Sequence, residues 1–175
     1  MERQATRTSN EERVAIRRYG ATDAAACRLC IAELQEAERR FDSRLRRGDE
    51  IADEYLQQMH DRCRQYTGTI LVAESGRHVV GLAMILTRVP FESLDEPPGS
   101  YAVVAELIVR AGFRGRGIGA ALLRESERYA GEAGAAELRI NVMSANHTAR
   151  RLYAREGFAP YLEILSKPLL RDRVR

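Results

Sequence analysis

Residues 106–123 read ELIVRAGFRGRGIGAALL, and the reading of this stretch decides the fold. Its first part ends the run YAVVAELIV, residues 101–109, which is apolar on both faces. Such a run marks a strand covered on both sides and therefore central in a sheet. Its last part has helical spacing from Ile118 to about Ala133, with Ile118, Ala121, Leu122, Tyr129 and Ala133 as the expected buried positions. Between the two stand Gly115, Gly117 and Gly119, with Arg114 and Arg116 interleaved. A helix start leaves backbone N–H groups without partners and carries partial positive charge. Glycines ahead of it remove the side chains that would hold a large anion away, and they let successive N–H groups turn inward. A strand, three alternate glycines and a helix therefore describe a turn that grips phosphate or pyrophosphate, with Arg114 and Arg116 adding attraction or a direct bond. A plain flexible turn would not need three glycines, each of which costs chain entropy.

Working outward, RVAIRRY (13–19) alternates and reads as a first strand. A helix follows, capped by Thr22 or Asp23, with Cys27, Cys30, Ile31, Leu34, Ala37 and Phe41 on its apolar stripe. Gly48 interrupts, and a second helix places Ile51, Tyr55, Met59, Cys63 and Tyr66 on one face. TILVAE (69–74) and HVVGLAMILTRV (78–89) are strands joined by a hairpin turn. FESLDEPPGS (91–100) is a loop. Beyond the glycine stretch, ELRINVM (137–143) is a strand. Asn146 then caps a short helix over 147–156 that ends at Gly157. FAPYLEILSKPL (158–169) closes the chain as one bent strand or two short ones, a candidate for pairing between subunits of a homodimer. The pattern is α/β in one domain over residues 13–170, after a polar lead-in over 1–12.

Composition excludes several classes. The chain has 175 residues, 45% hydrophobic and 30% charged, with a net charge of +3 and both signs interspersed. With no Trp and no one-sided basic surface, nucleic acid is not the expected partner. No apolar run reaches the roughly 18 residues of a membrane span. The amino terminus lacks the apolar centre of a secretory signal. Three cysteines, Cys27, Cys30 and Cys63, argue for free thiols in a reducing compartment, the cytoplasm. Cys27-x-x-Cys30 with His60-x-x-Cys63 has metal-ligand spacing, but three of these four positions fall on apolar stripes, where cysteine packs as a small hydrophobe. No metal is expected.

The anion can be narrowed. A nucleoside-triphosphate loop ends Gly-Lys-Ser/Thr, whereas this one ends Gly-Ala-Ala. Gly115, Gly117 and Ala120 match the dinucleotide fingerprint, but the next strand has its acid, Glu137, at the start and not at the end. A dinucleotide-dependent oxidoreductase is therefore the weaker reading.

The segment 101–169 resembles the GNAT superfamily of N-acetyltransferases. The family's R/Q-x-x-G-x-G/A signature falls on Arg114, Gly117 and Gly119. A second signature, NVMSANHTARRLYAREGF, carries Asn146, Leu152, Tyr153, Gly157 and Phe158 at the family's spacing. The resemblance implies a mixed, mostly antiparallel central sheet with a central splay, flanked by about four helices. It implies acetyl-CoA as co-substrate, with Gly115, Arg116, Gly117, Ile118, Gly119 and Ala120 around its pyrophosphate. Leu107, Ile108 and Val109 would present strand backbone to the pantetheine arm, and an N–H near Val109 would face the developing oxyanion.

The chemistry implied is direct attack of an amine on the thioester, with no covalent enzyme intermediate. Tyr153, the family's Tyr after Leu, is the candidate general acid, since a phenol keeps its proton near neutrality. Glu106, an acid in an otherwise apolar strand, is the candidate general base. An ion pair to Arg139 is its alternative, and a water chain is the alternative base. Asn146 caps its helix or touches the cofactor. The acceptor is a small-molecule amine or a peptide amine, either an amino terminus or a lysine. Glu33, Glu36, Asp49, Glu50, Asp53, Glu54, Asp95 and Glu96 could attract a cationic amine or be ordinary surface charge. A non-catalytic module that senses acetyl-CoA remains the rival reading.

Overall fold

The computed structural model describes residues 14–91, 95 and 98–167. The lead-in over 1–12, most of the acidic loop (92–94, 96 and 97) and the end of the closing segment (168–175) lie outside the described residues. The elements run in the order β1 (Ala15–Arg18), α1 (Ala24–Glu38), α2 (Gly48–Gln65), β2 (Gly68–Ser75), β3 (His78–Pro90), β4 (Ser100–Val109), α3 (Ile118–Glu132), β5 (Leu138–Ile140) and α4 (His147–Arg155).

The five strands form one sheet in the order β1-β2-β3-β4-β5. All neighbours are antiparallel except β4 and β5, which are parallel. α1 and α2 cover one face, where Cys27, Cys30, Ile31, Leu56 and Met59 pack on Val72, Leu82, Met84, Val103 and Ile108. α3 covers the other, with Ile118 and Leu122 on Leu71, Ala73, Val80 and Ala83, and Leu123 and Ala130 beside Ala102 and Val104. β4 is thus covered on both sides, as its two-faced apolar run predicts.

β4 and β5 share only three pairs, Ala102, Val103 and Val104 with Leu138, Arg139 and Ile140. Among the described residues no strand pairs with β4 on the β5 side past Val104, while its other edge stays bonded to β3 as far as Val109. This is the expected splay. A bulge sits on β4 beside it: Met84 faces Glu106 and Ile85 faces Val104, so Ala105 has no partner. An extra residue breaks the two-residue alternation of side chains. Ala105 and Ile108 therefore lie with the α1–α2 core and Leu107 with the α3 side, and Glu106 turns toward α2.

Several expectations need correction. Phe41 lies past the end of α1 and is exposed. Asp23 stands at the start of α1, but its carboxylate accepts from Arg17 and from the Gly20 N–H and caps no helix N–H. The buried positions of α3 are Ile118, Leu122, Leu123, Ser126 and Ala130, not Ala121, Tyr129 and Ala133; Ser126 fits because its hydroxyl donates to the Leu122 carbonyl at 2.8 Å. β5 has three residues where seven were expected. Over 158–167 there is no strand, and Tyr161, Leu162, Ile164 and Leu165 are all exposed. An apolar run becomes a strand only if an edge accepts it, and β5 is too short an edge to do so.

Cys27 and Cys30 are fully buried, and burial pushes their thiols up to about 12 and about 11. His60 packs edge-on against Tyr19. Among the described residues no group of three or more His, Cys, Asp and Glu side chains is placed to hold a metal ion. Nor is any described helix long and apolar enough to cross a membrane.

Gly48 explains how closely the first two helices approach. A Cβ there would stand 2.4 Å from the Ala32 carbonyl oxygen and 2.7 Å from its Cα. Alanine is the better helix former by up to about 1 kcal/mol, but the clash is with backbone and cannot be relieved by a rotamer. Gly48→Ala is expected to destabilise by about 2 kcal/mol, or roughly 6 °C in Tm, measured by urea and thermal denaturation.

Candidate active site

The splay brings together groups from four elements. Glu106 lies just past the last β4–β5 pair. Its Oε1 accepts a hydrogen bond of 2.6 Å from the hydroxyl of Tyr55 on α2. Burial lifts its carboxyl from the ordinary carboxylate range to about 7; the Tyr55 hydrogen bond pulls down, Glu38 pushes up and Arg62 pulls down. The alternative of an ion pair with Arg139 is not what holds this carboxylate. Arg139 pairs with Glu137 and stacks over Tyr101, its guanidinium 4.0 Å from the ring centre.

Tyr153 comes from the opposite side of the sheet. It is the one buried residue of α4 and packs among Ile85, Val104 and Leu123, edge-on to Phe158 at 6.1 Å. Burial raises its phenol to about 12, and the charges of Glu38 and Glu106 add to the shift. A tyrosine on the α3–α4 side thus stands within electrostatic reach of carboxylates on the α1–α2 side.

Glu38 and Tyr55 were not singled out from the sequence. Tyr55 read as an ordinary member of an apolar stripe. Glu38 closes α1 at a position seven residues after Ile31, on the buried side of the helix, and burial raises its carboxyl too. An acid at a core position of a helix was the available signal, the same kind of broken local rule that marked Glu106. The acids that were singled out are mostly paired. Glu33 accepts from Arg110 and the Ala111 N–H, Asp49 pairs with Arg47, Asp53 with Arg28 and Glu54 with Arg46. Glu36 accepts from the Gly48 N–H. Asp95 is exposed, and Glu96 lies outside the described residues.

The glycine turn lies at the end of the open half of β4. Gly115 and Gly117 have φ of +76° and +79°, and a Cβ on either would meet nothing within 4 Å. Gly117 is the N-cap residue of α3 and offers no side-chain cap. The first intrahelical bond runs from Ala121 N to Gly117 O, so the N–H groups of Ile118, Gly119 and Ala120 are those a helix start leaves free. Glycine at 119 has another reason: a Cβ there would come 3.0 Å from Leu152 of α4. Arg114 donates to the Val109 carbonyl at 2.8 Å, and Arg116 donates to the Gly112 carbonyl and lies over the Phe113 ring. Both guanidiniums are exposed beside the turn. The donor set is one that fits a diphosphate: orphan N–H groups, no side chains over them and two cations at the rim.

Leu107, Ile108 and Val109 lie on the half of β4 whose outer edge is unpaired. Asn146 caps α4, its Oδ1 accepting from Ala149 N at 3.1 Å. A separate surface depression lined by Leu29, Ala32, Glu33, Arg40, Arg47 and Arg114 includes neither Glu106 nor Tyr153 in its wall.

Residues 31–158 match the model of the acetyltransferase (GNAT) family. No curated protein matches the chain in sequence. Among solved structures, the tetramutant of the BH1408 protein from Bacillus halodurans superposes with a TM-score of 0.76 at 18% identity, over 89% of this chain and 99% of that one. A GCN5-related N-acetyltransferase from Ralstonia eutropha JMP134 gives a TM-score of 0.66 at 23% identity, over 89% and 98%. The aminoglycoside N-acetyltransferase AAC(6')-Iy in complex with CoA gives 0.67 at 16%, over 92% and 95%.

Proposed function

From the premise that this chain belongs to the acetyltransferase (GNAT) family and is an N-acetyltransferase, we propose that it moves acetyl from acetyl-CoA to a primary amine through the gap between β4 and β5. The observation that carries the reading is a helix start stripped for an anion at the end of the open half of β4, the half that bears Glu106.

The N–H groups of Ile118, Gly119 and Ala120, with Arg114, Gly115, Arg116 and Gly117, take the pyrophosphate. The open edge at Leu107, Ile108 and Val109 lines the path of the pantetheine arm. Asn146 serves through its cap, which holds α4 and therefore Tyr153 in place. Acetyl-CoA supplies the activated acyl group. Glu106 takes the proton from the acceptor ammonium. The neutral amine then forms the C–N bond as the C–S bond breaks, Tyr153 gives its proton to the departing sulfur, and the extra proton on the newly acylated nitrogen replaces it on the phenolate. A base near neutrality and an acid that stays protonated are the two proton affinities this sequence of events needs.

A small-molecule amine is favoured over a peptide amine as the acceptor. AAC(6')-Iy, of the same fold, is an aminoglycoside N-acetyltransferase, and the carboxylates of Glu38 and Glu106 suit a compact cation.

Consumption of acetyl-CoA by the full chain against a panel of small amines and amine-bearing peptides tests the function. Turnover with none of them, alongside calorimetric binding of CoA, would favour the sensor reading. Gly117→Ala separates binding from folding. Its left-handed φ costs alanine about 1 kcal/mol of stability without a clash. Its methyl would also stand over the helix start, and CoA affinity is expected to fall about tenfold by calorimetry.

A further inference from the structure

Tyr55 is a buried-stripe residue whose ring packs with the α1–α2 core, where phenylalanine would fill the same space. Its hydroxyl is what sets it apart. Among the described residues it is the hydrogen-bond donor to the Glu106 side chain, at 2.6 Å and across 51 residues of sequence. We infer that Tyr55 is a positioning residue: its hydroxyl holds the Glu106 carboxylate at the gap through Oε1, sets that carboxylate's proton affinity and leaves Oε2 as the oxygen that accepts the proton.

Three observations carry this. The bulge at Ala105 turns Glu106 toward α2, so the carboxylate arrives where Tyr55 stands. A glutamate side chain has three rotatable bonds and, without a partner, would sample several rotamers. A tyrosine anchored in a packed core has its ring fixed, and a bond from it transfers that order to the carboxylate. Burial and the neighbouring Glu106 raise the Tyr55 phenol far above its ordinary value, so it remains a donor throughout the working range. The groups facing Glu106 are Tyr55 and Arg62 from α2, Glu38 from α1 and Tyr153 from α4. Tyr55 and Arg62 favour the ionised form, burial and Glu38 oppose it, and Tyr55 alone among them is hydrogen-bonded. A role in transfer rests on Glu106 as the base; the control of its proton does not.

The test uses the full chain with Tyr55→Phe and, separately, with 3,5-difluorotyrosine at position 55. The second keeps the ring and sharpens the donor, so it remains informative if the first folds poorly. The readout is the titration of the Glu106 carboxyl by carbon NMR on glutamate-labelled protein, the signal being assigned by its loss in Glu106→Gln. From about 7 the midpoint is expected to rise by about one pH unit in Tyr55→Phe and to fall in the fluorinated protein. In parallel, the acid limb of kcat/KM should follow the NMR midpoint, with KM for acetyl-CoA unchanged. Midpoints unmoved in both variants overturn the inference. Midpoints that move while the kinetic limb stays in place uphold it and remove Glu106 as the base.

Discussion

Tyr153→Phe is expected to lower kcat about a hundredfold or more while leaving CoA affinity and stability close to those of the parent. Phenylalanine keeps what the fold uses, namely the ring among Ile85, Val104 and Leu123 and the edge contact with Phe158. It removes only a hydroxyl that makes no hydrogen bond among the described residues, so no polar partner is left stranded. That hydroxyl holds its proton to about 12 and stands within electrostatic reach of Glu106. Single-turnover and steady-state kinetics with calorimetry against CoA measure the two halves separately. A kcat within twofold of the parent would remove Tyr153 as the acid. A loss of CoA affinity matching the loss of rate would make it a binding residue instead.

Glu106→Gln should move activity and stability in opposite directions. Removing the base is expected to cost about a hundred- to a thousandfold in kcat/KM near neutrality and to abolish the acid limb of the pH profile. In the parent, activity should climb as pH rises through about 7, where Glu106 ionises. The sign for stability follows from the same value. The folded-state pKa, about 7, is raised above the ordinary 4.5. Between those values the native state holds a proton that the unfolded chain has lost, so stability falls as pH rises through that window. Above it the penalty is complete, up to about 3 kcal/mol for a shift of this size, less whatever water in the open gap relieves. Glutamine carries no such penalty and can still accept from Tyr55. Urea denaturation near pH 8 should show the variant more stable than the parent, and near pH 4.5 the two should be close. A variant equally or less stable near pH 8 would mean that Glu106 titrates as an ordinary surface carboxylate.

How much of this was legible in the sequence depended on the range of the interactions involved. Gly115 and Gly117 announce left-handed backbone, and their positive φ values are what the structure has. Asn146 announces a cap and is one. The limits of α3 and α4 fall within one residue of those expected, because capping, glycine conformation and apolar periodicity act over a turn or two. The closing segment failed as a strand for the opposite reason. Its composition is apolar enough, but pairing depends on an edge that residues twenty positions earlier do not extend to provide.

Glu106 could be picked out in the sequence as an acid in an apolar strand, but not aimed. Strict alternation from Val103 would point it at the α3 side; the unpaired Ala105 turns it to α2 instead. No local propensity marks that residue as a bulge, and the hydroxyl it finds belongs to a tyrosine that reads, on its own helix, as core. By itself, the chain's sequence determined the limits of α3 and α4, the glycine turn between β4 and α3 and the Asn146 cap, all consequences of short-range chemistry. Only the tertiary structure decided which face Glu106 presents, that the Tyr55 hydroxyl bonds it, and that the sheet opens beyond Val104. Those arrangements are set by register and packing between segments far apart along the chain, whose free energy appears only once the segments have met.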